Sequence, residues 1–142
     1  MTDWIYEGQP LLEPIEGAYG YLYAIVADNK TYYGKKAFTH STKKRISKRE
    51  IAATKTRKRV RRVTTDSQWK NYYGSCQPLL EWIKENGKEN VSRIIIGFAK
   101  TKMDLSYWET ALLIEERVLF RDDTWNGNVA GKYYKGKINE PL

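Results

Sequence analysis

Two β-forming runs joined by a tight polar link constrain this chain more than any other feature. Residues 19–27 read Tyr-Gly-Tyr-Leu-Tyr-Ala-Ile-Val-Ala, and residues 31–38 read Thr-Tyr-Tyr-Gly-Lys-Lys-Ala-Phe. The link between them is Asp28-Asn29-Lys30, so the two runs predict an antiparallel hairpin. Side chains alternate between the faces of a strand, and partner numbers in a hairpin sum to a constant. If Tyr23 and Tyr32 share a face, that constant is odd; Lys36 then joins them and Lys35 falls on the opposite face. An ammonium beside a phenol lowers its pKa from about 10 and brings a tyrosine general base within reach. Against that reading, tyrosine is among the commonest strand residues.

The rest of the chain falls into a simple order. Residues 1–18, with Gly8, Pro10, Pro14 and Gly17 around Leu11, Leu12 and Ile15, read as an N-terminal arm over the core. Ser41 is a candidate cap for a helix through the following basic stretch. Pro78 starts and Gly87 ends a helix whose apolar stripe is Leu79, Leu80, Trp82 and Ile83. Ile94-Ile95-Ile96 mark a buried strand within residues 91–99, and residues 105–120 form a long helix. This is an α+β pattern: a main domain over residues 19–130, interrupted by a basic insert at 40–68, and a basic-aromatic tail at 131–142. At 142 residues one core is expected.

Scarce residues exclude several chemistries. His40 and Cys76 stand alone, so no zinc finger, two-histidine metal motif or internal disulfide can form within one chain. No glycine-rich phosphate cradle of the usual kinds and no G-x-S-x-G is present. No run approaches the length of a membrane span, and the first residues lack the build of a secretory signal, so a reducing, cytoplasmic location is expected. Catalysis must then use Tyr, Lys, Arg, Glu, Asp and a hard metal ion.

The net charge is +8, and it is concentrated. Residues 43–62 hold eleven basic side chains (Lys43, Lys44, Arg45, Lys48, Arg49, Lys55, Arg57, Lys58, Arg59, Arg61 and Arg62) and one acid, Glu50, which leaves the remainder slightly negative. A cluster of this density calls for a polyanion, since each neutralised phosphate releases counterions. A solvated face, an anionic membrane or a targeting signal are the plainer readings.

On the last helix, Glu109 falls within the apolar arc made by Leu105, Trp108, Leu112 and Leu113. An unpaired carboxylate is costly there. Either it pairs with a buried Arg or Lys, or it holds Mg²⁺, which takes one or two carboxylates together with waters and phosphate oxygens.

The combined pattern resembles the GIY-YIG nuclease superfamily. The residues that carry the resemblance are Tyr21-Leu22-Tyr23-Ala24-Ile25, Tyr32-Tyr33-Gly34, the helix–strand–helix order after the insert, Glu109 and Trp125-Asn126. Tyr33-Gly34-Lys35-Lys36, the stretch from Trp69-Lys70 to Gly74-Ser75, and Ser106-Tyr107-Trp108-Glu109 are similar to the phage-encoded, Seg-like homing endonuclease branch. The resemblance implies a small three-stranded antiparallel sheet flanked by helices, and DNA cleavage with one Mg²⁺ (or Mn²⁺) and no small-molecule cofactor. By that resemblance Tyr23 activates the attacking water, Tyr32 supports it and Glu109 holds the metal. The family's helix arginine maps to Arg45, with Arg49 as substitute, and Lys36 shares that work. Its late asparagine maps to Asn126, or to Asn128. DNA contacts are expected from the basic insert together with Trp69, Lys70, Tyr72, Tyr133 and Tyr134, and double-strand cleavage would call for a homodimer or two visits. The first motif departs from the family in reading Tyr-Leu-Tyr and not Gly-Ile-Tyr. The rival reading is a non-catalytic nucleic-acid-binding protein that uses only the insert; a PD-(D/E)xK nuclease fits poorly.

Overall fold

The computed structural model describes residues 3–55, 57 and 59–142. In chain order the elements are β1 (Trp4–Tyr6), β2 (Gln9–Pro10), β3 (Gly20–Ala27), β4 (Lys30–Ala37), β5 (Thr39–Arg45), α1 (Lys48–Thr54), β6 (Val60–Asp66), α2 (Gln77–Asn86), β7 (Ser92–Ala99), α3 (Lys102–Glu115), β8 (Asn128–Val129) and β9 (Tyr133–Tyr134). The architecture is α+β, as expected. Its main sheet, however, has five strands in the order β2-β1-β7-β3-β4, where three antiparallel ones were anticipated. The antiparallel trio β7-β3-β4 is present; the addition comes from residues 4–10, expected as an arm, whose β1 pairs parallel to β7 at Trp4↔Arg93 and Ile5↔Ile94. A three-residue strand has no periodicity to read.

The hairpin forms with Asp28 and Asn29 alone at the turn. Both have positive φ, 52° and 59°, so the turn is the two-residue form that matches strand twist, and Lys30 already pairs with Ala27. The register sets Tyr23 opposite Gly34, Ile25 opposite Tyr32 and Tyr21 opposite Lys36. Tyr23, Tyr32 and Lys36 therefore share one face, and Tyr33 and Lys35 the other.

The first face carries the core. Tyr21, Tyr23, Ile25 and Ile95 pack with Trp4, Phe38, Trp69, Tyr73 and the α2 residues Leu79 and Ile83. α2 begins at Pro78's turn and ends at Gly87, whose φ of 90° suits glycine. β7 is not buried throughout: Ile95 faces the core while Ile94 and Ile96 are over 40% exposed. Arg93 faces inward too. It donates to the carbonyls of Lys70 (3.0 Å) and Tyr72 (2.7 Å), with Trp4 and Tyr73 rings against its guanidinium.

The second face is covered by α3, where Leu105 lies against Gly20 and Leu113 packs with Val118 and Val129. Thr101 caps the helix by accepting from the Asp104 amide at 3.1 Å. The helix stops at Glu115, five residues earlier than expected, because Arg117 turns left-handed (φ 53°). Trp108, placed in the apolar arc from its spacing, is instead exposed.

The basic insert is not a helix capped by Ser41. β5 and β6 form a separate two-stranded ribbon, and the short helix α1 at its tip is capped by Ser47, which accepts from the Glu50 amide. β-branched Thr39, Thr42, Val60, Val63, Thr64 and Thr65 favour the strand. Among the described residues no helix is long and apolar enough to cross a membrane.

Candidate active site

β4 is the edge of the sheet, and the candidate site lies along that edge. After α3 the chain returns beside it: the Thr31 amide donates to the Asp123 carbonyl and the Trp125 amide to the Thr31 carbonyl, both at 2.9 Å. Asn126 continues this pairing with its side chain. Its Oδ1 accepts from the Tyr33 amide at 3.0 Å and its Nδ2 donates to the Tyr33 carbonyl at 2.8 Å. One buried side-chain amide thus satisfies both edge groups of a residue that would otherwise stand unpaired.

A cavity of about 490 Å³ opens where these elements meet, lined by Tyr32, Tyr33, Lys35, Ser75, Ser106, Glu109, Asn126 and Asn128 among others. Residues from opposite faces of β4 meet in it because an edge strand has no neighbour to separate them. Tyr32 comes from the core side, where its hydroxyl lies 3.1 Å from Ser75 Oγ. Lys35 comes from the α3 side, donating to Ser106 Oγ at 2.8 Å.

Glu109 projects into this cavity from α3. Burial raises its carboxyl pKa, and the nearby Lys35 ammonium works in the opposite direction. Among the described residues it makes no ion pair within 4.0 Å and no hydrogen bond. The pairing with a buried cation that would explain it structurally is therefore incomplete: Lys35 is near but bonds Ser106. No cluster of three His, Cys, Asp or Glu occurs among the described residues. A lone free carboxylate in a polar cavity fits a hard cation that keeps most of its waters, and fits zinc or copper poorly.

Tyr23 is placed differently from the expectation of a lowered pKa. It is fully buried, and loss of solvent pushes its phenol well above the ordinary value, with Tyr72 and Tyr32 adding to the effect. Lys36 does not counter this; its ammonium sits 4.3 Å from the Tyr72 ring centroid, and burial lowers its own pKa. Tyr32 is also raised, chiefly by burial, while its Ser75 contact pulls the other way.

Arg45 and Arg49 do not line the cavity. They stand exposed at the far end of the ribbon and on α1. Asn128 lines the cavity but its Oδ1 accepts from the Gly131 amide at 2.9 Å. Lys43, Lys44, Lys48, Lys55, Arg57, Arg59, Arg61, Arg62 and Lys70 are exposed, and Lys58 lies outside the described residues. Trp69 is a correction: it is wholly buried in the core, held among Phe38 and Tyr21, and has no face for a nucleotide. Tyr133 and Tyr134 are exposed. Lys35, Ser75 and Ser106 were not singled out from sequence; the face parity set Lys35 apart from the tyrosines, and only the open edge reunites them.

The family model described as "Putative endonuclease segE, GIY-YIG domain" matches residues 4–138. No curated protein and no solved structure gives a significant match. A family match of that length takes in the main sheet, the ribbon and helices α1, α2 and α3, so the chain belongs to the SegE-type GIY-YIG endonuclease domain family.

Proposed function

We propose that this chain is a divalent-metal-dependent endonuclease that hydrolyses DNA phosphodiesters in the cavity on the β4 edge. The observation that carries the reading is Glu109, a partly buried carboxylate without a bonded partner, facing a polar cavity it shares with Tyr32 and Lys35. Membership of an endonuclease domain family supports it.

Glu109 is the residue that would hold the cation, Mg²⁺ or Mn²⁺. When bound, the cation offsets charge on the scissile phosphate and on the leaving oxygen. Tyr32 and Ser75 form the hydroxyl pair that orients the attacking water. Tyr23 stands behind Tyr32, their ring centroids 6.1 Å apart, and its tightly held proton makes it a hydrogen-bonding partner of Tyr72, so it packs Tyr32 in place and fixes Tyr72. Lys35 supplies positive charge beside the phosphate. The water oxygen bonds to phosphorus as its proton passes to solvent through the open cavity mouth, the ester P–O bond breaks, and the departing ester oxygen takes up a proton from solvent to leave as the alcohol. Asn126 holds the β4 edge in place, so it is a positioning residue. Lys36 and Lys102, with Lys35, line an adjoining cavity of about 230 Å³ that has no acidic wall, and this takes a neighbouring phosphate. The exposed cations of β5, α1 and β6, Arg45 and Arg49 included, grip the backbone.

The test is incubation of supercoiled plasmid with the full chain, with Mg²⁺ and with EDTA. The reading expects nicked or linear product only with the metal. Binding without cutting in both Mg²⁺ and Mn²⁺ would favour a non-catalytic DNA binder.

A further inference from the structure

We propose that the β5–β6 ribbon is a reader of duplex DNA that enters the major groove within about one helical turn of the cut. The inference rests on the nuclease reading for its substrate, but on other residues for its evidence. The ribbon has seven cross-strand pairs, from Thr39↔Asp66 at its base to Arg45↔Val60 at its tip. Every residue of β5 is exposed, as is every residue of β6 except the half-buried Val63. A two-stranded hairpin with neither face covered is marginal in water.

Its pairing makes matters worse. Lys43 sits directly opposite Arg62, and Lys44 directly opposite Arg61. Like charges across a pair of strands are destabilising. The one ion pair that reaches the ribbon among the described residues, Arg61 to Glu50 at 3.4 Å, is exposed at both ends and offsets little. Lys43, Arg45 and Arg62 lie on one face and Lys44 and Arg61 on the other. An element arranged in this way is complete only against a polyanion that meets both faces.

Shape and composition select the polyanion. Val60 and Val63 point to opposite faces, so neither face has the apolar band that an anionic membrane would need. The strands hold no Trp, Tyr or Phe, and their one imidazole, His40, stands near the base opposite Thr65, so there is no platform on which successive bases of a single strand would stack. The major groove of duplex RNA is too deep and narrow for side chains to read. The major groove of B-form DNA admits a two-stranded ribbon, and its two phosphate walls match cations on two faces. Arg45 is ten residues from Lys35, so the tip is at most about 33 Å of extended chain from the cavity, close to one turn of duplex.

The experiment uses the full wild-type chain without divalent metal, so that nothing is cut. The probes are a DNA duplex, the same sequence as an RNA duplex and as single-stranded DNA, and the DNA duplex methylated at guanine N7 in the major groove. The inference expects the DNA duplex to be bound at least about tenfold more tightly than the RNA duplex. It also expects N7 methylation to interfere on one side of the cut, and both effects to vanish in the combined variant Lys43→Ala, Lys44→Ala, Arg61→Ala and Arg62→Ala. Equal binding of DNA and RNA duplexes, or no interference from N7 methylation, overturns it; both readouts are made on the wild-type chain and do not depend on how the variant folds. Plasmid cleavage without N7 interference defeats this inference alone. Interference without any cleavage defeats the nuclease reading and leaves the ribbon assignment standing.

Discussion

The Tyr23 phenol occupies the space that a side chain at Gly34 would need: a Cβ built there meets Tyr23 Oη at 2.4 Å and Cζ at 2.6 Å. The two residues are cross-strand partners, and the glycine is what lets a large ring lie flat over β4 beside the cavity. Gly34→Ala forces that ring or the edge strand to move. The cost expected of overpacking in a filled core is about 1–3 kcal/mol, and Tyr32 moves with its neighbour. Thermal unfolding and plasmid cleavage of the variant check this; an unchanged melting temperature with full activity would contradict it.

Asn126→Ala removes both bonds that the side chain makes to Tyr33. Stranding one buried amide and one carbonyl is expected to cost about 2 kcal/mol or more. Asn126→Asp keeps an acceptor for the Tyr33 amide and loses the donor to its carbonyl, so its loss should be larger at neutral pH than at low pH, where the carboxyl regains a donor. Denaturant titration of the three proteins at two pH values measures this. Equal stability of Asn126→Ala and wild type would remove the clamp.

Glu109 gives a pH dependence whose sign is fixed. Burial raises its folded pKa above the unfolded value, so its protonated form favours the fold. That stabilisation is fully present below the unfolded carboxyl value, about 4.3, and is lost as pH rises through the folded one. In metal-free protein Glu109→Gln should therefore raise the melting temperature at pH 7 by about 1–3 °C and change it little near pH 3.5. Cleavage with Mg²⁺ should also rise with pH as Glu109 ionises, at lower pH than in the metal-free protein because the cation would compete with the proton. A melting difference that is the same at both pH values would contradict the account.

Lys102 is the wall of the adjoining cavity that is furthest from Glu109 along α3. Lys102→Ala should raise KM for DNA several-fold, leave kcat within about twofold, and reduce the salt slope of binding by about one unit. A fall in kcat at unchanged KM would place Lys102 in the chemistry instead.

Much of this site was legible in the sequence where it depended on local pattern. The hairpin around Asp28-Asn29-Lys30 and the Pro78–Gly87 helix follow from local rules, and the condition that Tyr23 and Tyr32 share a face, which brings Lys36 with them, is met by the register. Glu109 stood out because a carboxylate among apolar neighbours is costly. What escaped was decided by tertiary contact. β1 is three residues long and pairs parallel with a strand nearly ninety positions later. Trp69 looked like a surface aromatic among polar neighbours, yet the core takes it. The insert's lysines and arginines favour helix if anything, and pairing with the β-branched residues of β6 settled the ribbon. Tyr32 reaches the cavity that Lys35 and Glu109 share on the α3 side only because β4 is an edge.

The central claim is that Glu109 serves catalysis and not the fold. Glu109→Gln, compared with wild type in plasmid cleavage with Mg²⁺ and in metal-free DNA binding, tests it most directly. The account predicts loss of cleavage by at least about a hundredfold, about 2.7 kcal/mol of transition-state stabilisation, with binding as tight as wild type or tighter. Retained cleavage, or equal loss of cleavage and binding, would contradict it.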